Sequence, residues 1–153
     1  MMIGGALAGP LEDGFAASQR GDYTTALSLW FPLAQRGNPD AQFGIGMLYY
    51  RGHGVPQSYA EAIRWMLQAA NEGHYFAQFT LGSMYKYGIG VPEDLAQAHM
   101  WFDIAAARAG RAQFRTFAAR ERDHVADLMT PAQIAEAQRL AREWGAAHPV
   151  AQR

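Results

Sequence analysis

The sequence contains no cysteine, which excludes disulfide bonds, thiolate metal ligands and cysteine nucleophiles. It also lacks an excess of charge of either sign, because 13 basic and 14 acidic residues leave a formal net charge of -1. No global electrostatic field therefore attracts a polyanion, and nucleic acid is not an expected partner. The absence of cysteine is compatible with any compartment, so composition leaves the localisation open.

Long apolar runs are missing as well. No stretch reaches the roughly 18 to 20 apolar residues of a membrane-spanning helix, so we expect no membrane span. Within a leader at residues 1–10, Ala6 and Ala8 have the spacing that signal peptidase recognises, but no basic region precedes them. Two interpretations stay open. A signal peptide that begins upstream would indicate the periplasm or cell envelope, and a disordered leader would fit a cytoplasmic protein.

What the 153 residues do contain is an internal repeat. The tripeptide at 41–43, Ala-Gln-Phe, recurs 36 residues later at 77–79. The same offset relates further pairs of identical residues: Gly46 and Gly82, Tyr49 and Tyr85, Gly52 and Gly88, Gly54 and Gly90, Pro56 and Pro92, and Trp65 and Trp101. Neither copy can bury its own apolar face, so neighbouring copies are expected to stack.

Each copy is predicted to form helix, turn and helix. Asn38 is a suitable N-cap before Pro39, and Gly52 is suited to the left-handed conformation that ends a helix. Ser58 and Glu61 fit the reciprocal capping box at the start of the second helix. Asp94 and Gln97 form the same pattern one repeat later, so the second helices are predicted to begin near residues 58 and 94.

The two ends are degenerate copies, as capping repeats are expected to be. A short helix at about 11–20 precedes a second one that Pro32 is expected to kink. After Ala112-Gln113-Phe114, a long helix is predicted to about Leu128. Thr130 is then the expected N-cap of a final helix that begins at Pro131 and ends at about Trp144. The predicted organisation is a leader at 1–10, a degenerate repeat at 11–37, full repeats at 38–73 and 74–110, a capping helix pair at 111–147 and a tail at 148–153.

The pattern Ala-x-x-x-Leu-Gly-x-x-Tyr-x-x-Gly-x-Gly-Val, followed by Ala-x-x-Trp, resembles the Sel1-like repeat, with Ile45 replacing the leucine in the first copy. The resemblance implies an all-α fold, an α/α solenoid of about seven to eight helices that acts as a protein-interaction adaptor, often in bacteria. The cysteine-rich Sel1-like proteins staple each repeat with a disulfide. This chain has none, so their penicillin-binding associations are not transferred to it.

No catalytic or metal-binding motif stands out from the repeat. The five histidines lie 21 to 25 residues apart and none has a second ligand at metal-binding spacing, so no metal, cofactor or catalytic residue is predicted. The glycines are explained by turns and close packing, and no Gly-x-Ser-x-Gly nucleophile motif is present.

A partner-binding groove is predicted on the first helices, which commonly line the concave face of stacked repeats. The candidates, aligned on Gly46 and Gly82 by analogy with the tetratricopeptide repeat, are Phe43, Met47, Tyr50, Arg51, Phe79, Ser83, Lys86 and Tyr87. Aromatic rings beside Arg51 and Lys86 suit an apolar or aromatic peptide with an acidic group. Phe43, Phe79 and Phe114 form a column that either lines this groove or packs between helices. Tyr49, Tyr85, Trp65 and Trp101 are expected in the core.

The sequence therefore favours a monomeric, non-catalytic adaptor that binds a peptide or protein. The alternative is a small enzyme or cell-wall-ligand binder that uses ionisable residues gathered by the fold. A pocket with two or more carboxylates or histidines would favour this alternative.

Overall fold

A computed structural model of the chain describes residues 8–150. Most of the predicted leader, including Ala6 and with it the signal-peptide interpretation, lies outside these residues, as do the last three residues of the tail. The described residues contain eight α-helices and no strand, which confirms the predicted all-α class and helix number. The chain divides into two compact units, unit 1 at Met1–Glu72 and unit 2 at Gly73–Arg153.

Each unit contains four helices, and their bounds follow the predicted pattern closely. Those of unit 1 are α1 at Pro10–Gln19, α2 at Tyr23–Gln35, α3 at Pro39–Arg51 and α4 at Tyr59–Asn71. Those of unit 2 are α5 at Tyr75–Tyr87, α6 at Leu95–Arg108, α7 at Ala112–Ala126 and α8 at Pro131–Ala147. Helix α7 thus ends two residues before its predicted end, and α8 continues three residues beyond. Helix α2 continues through Pro32, where the kink stays a prediction.

Both ends of α3 are formed by the residues that the sequence indicates. The side chain of Asn38 accepts a hydrogen bond from the backbone N–H of Ala41 at 2.9 Å, which caps α3. Gly52 ends the helix in the left-handed conformation, with φ at 67°. At the equivalent position before α5, His74 replaces Asn38, and its Nδ1 atom accepts from the N–H of Ala77 at 3.1 Å.

Only one of the two hydrogen bonds of each predicted capping box forms at the start of α4 and α6. The hydroxyl of Ser58 accepts from the backbone N–H of Glu61 at 3.2 Å, as expected. The N–H of Ser58, however, donates to the carbonyl of Tyr49 at 3.0 Å, and Asp94 makes the same bond to Tyr85. Because these donors are already used by the preceding helix, the reciprocal side-chain bonds predicted from Glu61 and Gln97 are wrong. A complete capping box forms at the start of α8, where Thr130 is the N-cap.

The core of unit 1 is centred on Trp30, which is 2% exposed. Its ring lies between Gly14 of α1 and Gly44 of α3, and its Nε1–H donates to the carbonyl of Leu11 at 3.2 Å. Small side chains let the helices approach this closely. The other buried members are Ala17, Ala26, Ala34, Ala41, Ile45 and Leu48.

The core of unit 2 is centred on Phe102 of α6, which is fully buried. Its ring lies against Gly82 of α5, and it forms a cluster with Ala98 and with Val125 of α7. Trp101 is also buried and packs edge-on against Trp144 of α8 at 5.9 Å between ring centroids. The adjacent rings of Trp101 and Phe102 therefore pack α6 against three helices, α5, α7 and α8.

Candidate functional site

A cleft of about 300 Å³ opens in unit 1 between α1, the start of α2 and α3. We call it the α1–α3 cleft. Most of its lining is apolar or aromatic, with a smaller number of polar groups at one end. The lining residues are Phe15, Ser18, Gln19, Tyr23, Trp30, Phe43, Gly44, Met47, Leu48, Arg51 and His53.

The floor of the cleft is rigid because it belongs to the core of unit 1. Trp30 is held by its hydrogen bond to the Leu11 carbonyl, and Phe15 packs edge-on against it at 5.1 Å. Gly44 allows α3 to approach the indole, since a Cβ atom there would lie 2.8 Å from the ring. A preformed apolar floor suits a bulky apolar side chain, because the residues of the cleft lose little conformational entropy when they bind it.

The polar end of the cleft is basic. Arg51 is exposed in the last turn of α3, and His53 follows in the turn. The imidazole of His53 stacks on the ring of Tyr23, with 4.4 Å between centroids. The described residues that line the cleft include no aspartate or glutamate. The geometry therefore combines an apolar floor with a guanidinium group that is available to an anion.

Three of the four groove residues predicted in unit 1 meet in this cleft. Phe43, Met47 and Arg51 lie on successive turns of α3 and all contribute to its lining. Tyr50 does not line it, because its ring packs against Tyr59 of α4 at 5.3 Å. Tyr50 therefore belongs to the hairpin of α3 and α4 rather than to the cleft.

The four candidates in unit 2 are in different surroundings. Phe79 packs against Phe102 at 5.1 Å, and Ser83 donates its hydroxyl hydrogen bond to the Phe79 carbonyl at 3.2 Å. Lys86 forms a salt bridge of 3.0 Å with Glu121 of α7. Burial acts to lower the pKa of Lys86, but the hydrogen bond to Glu121 raises it above its ordinary value overall. A binding role for these residues stays a prediction.

Tyr87 and the phenylalanine column are the remaining predicted features of unit 2. Tyr87 is 65% exposed, with the ammonium group of Lys86 5.0 Å from its ring centroid. Phe79 and Phe114 contact each other at 5.5 Å between centroids. The column thus forms part of the packing between α5 and α7 in this unit. The expected core residues Tyr49, Trp65 and Tyr85 are half-buried against the cores of their units.

Eight lining residues are not identified by the sequence, and the four of them that carry rings are Phe15, Tyr23, Trp30 and His53. The first three precede the full repeats, where degenerate spacing gives no alignment to a groove position. Their sequence pattern gives only a weak indication of a cleft. An aromatic residue and a glycine can be paired only when their two helices are known to be in contact. The distance of His53 from the other histidines in the sequence tests only for a metal site. Its ring contact with Tyr23 depends on tertiary structure and leaves no pattern in the sequence.

Ionisable groups are dispersed in the part of the chain that the structure describes. Within residues 8–150, no group of three or more histidine, aspartate or glutamate side chains is placed to hold a metal ion. Helices long and apolar enough to cross a membrane are also not found in that range. His99 of α6 is the buried exception among the histidines, at 5% exposed, and its Nδ1 atom has no hydrogen-bond partner.

His99 is expected to make the stability of the protein pH-dependent. Burial lowers its pKa below the ordinary value of 6.5, despite the opposing charge of Asp103. The unfolded chain then binds the proton more readily, so the stabilisation is complete above pH 6.5 and is lost as the pH falls through the folded-state pKa. Urea unfolding should show a slope of at most about 1.4 kcal/mol per pH unit from this group. His99→Gln should flatten that slope.

The matched control is His124→Gln, since the side chain of His124 is 67% exposed and solvent screens its contact with Glu121, which lies 3.7 Å away. This change should leave the slope between pH 7.5 and pH 5 as it is in the original chain. An equal slope in the original chain and His99→Gln would contradict the prediction.

Comparison with known proteins identifies the repeats. The family model of the Sel1 repeat matches residues 39–74 and 76–109. These ranges correspond to the two full repeats predicted at 38–73 and 74–110. A search of curated proteins finds no match.

Solved structures extend the likeness beyond the repeats. A Sel1 repeat protein from Oxalobacter formigenes is 36% identical over 65% of this chain and 79% of that chain, with a TM-score of 0.62. A protective antigen of uropathogenic Escherichia coli, which displays an SLR fold, is 26% identical with a TM-score of 0.82. The match covers 94% of this chain and 33% of the antigen, so the chain spans about a third of that protein's length.

These matches confirm both the predicted resemblance and the predicted α/α solenoid class. Sel1 repeats generally act as protein-interaction scaffolds and are generally non-catalytic. The repeat signature, the helix pairs and the structural neighbours agree, and the chain belongs to the Sel1 repeat family.

Proposed function

We propose that this chain is a non-catalytic adaptor that holds a short segment of a partner protein in the α1–α3 cleft. The observation that carries the proposal is the composition of the cleft, where the floor formed by Trp30 meets Arg51 and His53 with no carboxylate in the lining. The occupant we propose is a peptide with a bulky apolar side chain next to a carboxylate. The side chain would displace water from the floor, and the carboxylate would pair with Arg51.

The size of the cleft supports a peptide rather than a large ligand. Its volume of about 300 Å³ is at the lower end of the range of roughly 300 to 1,000 Å³ that is typical of ligand pockets. One or two side chains fill such a space. Met47 at its wall is flexible and polarizable, which lets the wall adapt to different apolar anchors.

The alternative of a small enzyme or cell-wall-ligand binder has less support. It needs several ionisable groups in one pocket, whereas the only histidine that lines the cleft is stacked on Tyr23. A second cleft of about 350 Å³, between α6 and α7, contains a single carboxylate, that of Asp103. Arg122 engages this carboxylate at 2.9 Å. We therefore favour the adaptor.

Two substitutions that introduce negative charge into the cleft test the proposal. Peptides would first be selected from a displayed random library on the full chain, and one of them would be labelled for fluorescence anisotropy. Met47→Glu should weaken its binding about tenfold or more, because an ionised group would replace an apolar contact. Arg51→Glu should weaken the binding of acidic peptides by a similar factor, because it replaces electrostatic attraction with repulsion.

Arg36→Glu is the matched control, since Arg36 is exposed in the same unit but does not line the cleft. This variant should keep the affinity of the original chain within about twofold, a change well below 1 kcal/mol. Thermal melting by circular dichroism would establish that all three variants are folded. Unchanged affinity of every selected peptide in folded Met47→Glu and Arg51→Glu would exclude the α1–α3 cleft as the binding site.

A further inference from the structure

Unit 2 carries a continuous group of aromatic rings on α5 and α7, which we call the aromatic patch. Tyr75 and Phe76 are 4.5 Å apart, and Phe76 contacts Phe114 at 4.9 Å. Phe79 contacts Phe114 at 5.5 Å and stacks on Phe117 at 5.0 Å. Phe76 is 42% exposed and Phe117 is 49% exposed. A connected patch of exposed rings is a better indicator of an interface than single apolar side chains are.

The repeat accounts for the inner rings of the patch but not for the outer ones. Phe79 and Phe114 belong to the Ala-Gln-Phe signature that recurs along the chain. The residue that corresponds to Phe76 in the first full repeat is Asp40, which is also exposed. Phe117 of the degenerate third copy stands where the two full repeats have Gly46 and Gly82. The most exposed rings are therefore those that the architecture does not require, which points to a role in binding.

The charges beside the patch are basic. Arg111 is the N-cap of α7, three residues before Phe114. Arg120 follows Phe117 by three residues within the helix, where residues three apart are neighbours on the surface. Both arginines are exposed, and neither forms an ion pair with another residue of the described range. Glu121, which follows Phe117 by four residues on α7, is already paired with Lys86 at 3.0 Å and also lies 3.7 Å from the His124 ring.

We propose that the aromatic patch is a second protein-binding surface, which takes a segment with an aromatic or large aliphatic side chain beside aspartate or glutamate. The exposed faces of Phe76 and Phe117 would bury the apolar side chain, and Arg111 or Arg120 would pair with the carboxylate. Such a site does not depend on the α1–α3 cleft. Two surfaces on one chain are what an adaptor needs in order to join two partners.

Charge argues against the other occupants of the patch. A second copy of the chain on a twofold axis would bring the same basic face against itself, and like charges facing each other are unfavourable. A lipid surface is recognised by clusters of roughly four to eight basic residues, whereas Arg111 and Arg120 are only two. An acidic peptide complements both the rings and the charge.

The test removes the contribution of the cleft first. A chain carrying Met47→Glu and Arg51→Glu would be used to select from a displayed random peptide library, and the recovered sequences would be compared with the unselected library. We expect enrichment of aspartate or glutamate next to phenylalanine, tyrosine, tryptophan or leucine. In that cleft-disabled chain, the additional substitution Phe76→Asp should lower the affinity for a labelled selected peptide about tenfold or more.

The choice of aspartate keeps the fold intact, because Asp40 stands at the same position in the first repeat and an acidic residue suits the first turn of a helix. The control is Leu128→Ser, which changes a 67% exposed apolar residue outside the patch and should leave the affinity unchanged. A further variant, Arg111→Glu with Arg120→Glu, leaves the rings in place. It should reverse the preference, so that basic versions of the peptide bind more tightly than acidic ones.

Several outcomes would overturn the proposal. No enriched peptide, enriched peptides without acidic residues, or unchanged affinity in Phe76→Asp would each do so. A dimer detected by light scattering that Phe76→Asp dissociates would assign the patch to a second copy. Retention on phosphatidylserine vesicles that Phe76→Asp abolishes would assign it to lipid. Peptides that bind the original chain but not the cleft-disabled chain would leave the proposed function standing and remove only the second surface.

Discussion

Trp30→Ala is expected to lower the free energy of unfolding by about 3 to 5 kcal/mol, as replacement of a large buried aromatic residue by alanine usually does. Trp30 is 2% exposed, and its ring fills the space between Gly14 and Gly44. Alanine would leave a cavity in the core of unit 1. It would also remove the donor to the Leu11 carbonyl, which now accepts from Nε1 at 3.2 Å.

Urea unfolding followed by far-ultraviolet circular dichroism would measure the loss. Trp30→Phe separates the two contributions, because phenylalanine retains most of the ring volume but lacks the indole N–H. It should cost clearly less than Trp30→Ala. Since Trp30 also forms the floor of the α1–α3 cleft, the variants should lose peptide affinity in the same order. A loss of less than about 1 kcal/mol in Trp30→Ala would show that the site collapses and refills without the ring.

The helices and their ends are predictable because their signals are local. Asn38 caps α3 and Gly52 ends it as the spacing of the two residues indicates, and the repeat offset transfers the same bounds to α5. The period of 36 residues, together with its glycine turn, is also sufficient to indicate the family. Short-range hydrogen bonding and backbone conformation determine these features, so a single sequence contains most of the required information.

The candidate site is predictable only where it lies on a full repeat. Phe43, Met47 and Arg51 follow from one helix face, and all three line the α1–α3 cleft. The remaining walls come from α1 and α2, where contact between distant residues rather than local pattern determines the arrangement. Glu121 illustrates the same limit in unit 2. It stands 35 residues after Lys86, the offset that relates the second copy to the degenerate third one, but the repeat does not show that the two side chains form a salt bridge.

Departures from the repeat are more informative about function than the repeat itself. The shared glycines are explained by left-handed turns or close helix packing, and Trp65 and Trp101 by packing, and all of them recur in both copies. Phe76 replaces Asp40 at an exposed position, where neither residue is needed for the core. A position that the architecture leaves free is where a difference between copies can change what the surface binds.

Phe102→Ala should destabilise unit 2 as strongly as Trp30→Ala destabilises unit 1, by about 3 to 5 kcal/mol. Phe102 is fully buried and packs against Phe79, Gly82 and Val125. The close approach of Gly82 makes the pair suitable for a double-mutant cycle. A Cβ atom at Gly82 would lie 2.7 Å from the Phe102 ring, so Gly82→Ala should cost about 1 to 3 kcal/mol through overpacking.

The double variant distinguishes steric conflict from a general loss of helix packing. Once Phe102 is alanine, the ring no longer opposes the added methyl group, so Gly82→Ala should cost little or become stabilising because alanine is the better helix former. The two losses would then fall short of additivity by about 0.5 to 3 kcal/mol. Gly145→Ala serves as the reference, since its added Cβ would have no neighbour within 4 Å apart from the adjoining residues and backbone of its own helix. Strict additivity would mean that the cost of Gly82→Ala arises from contacts other than the Phe102 ring.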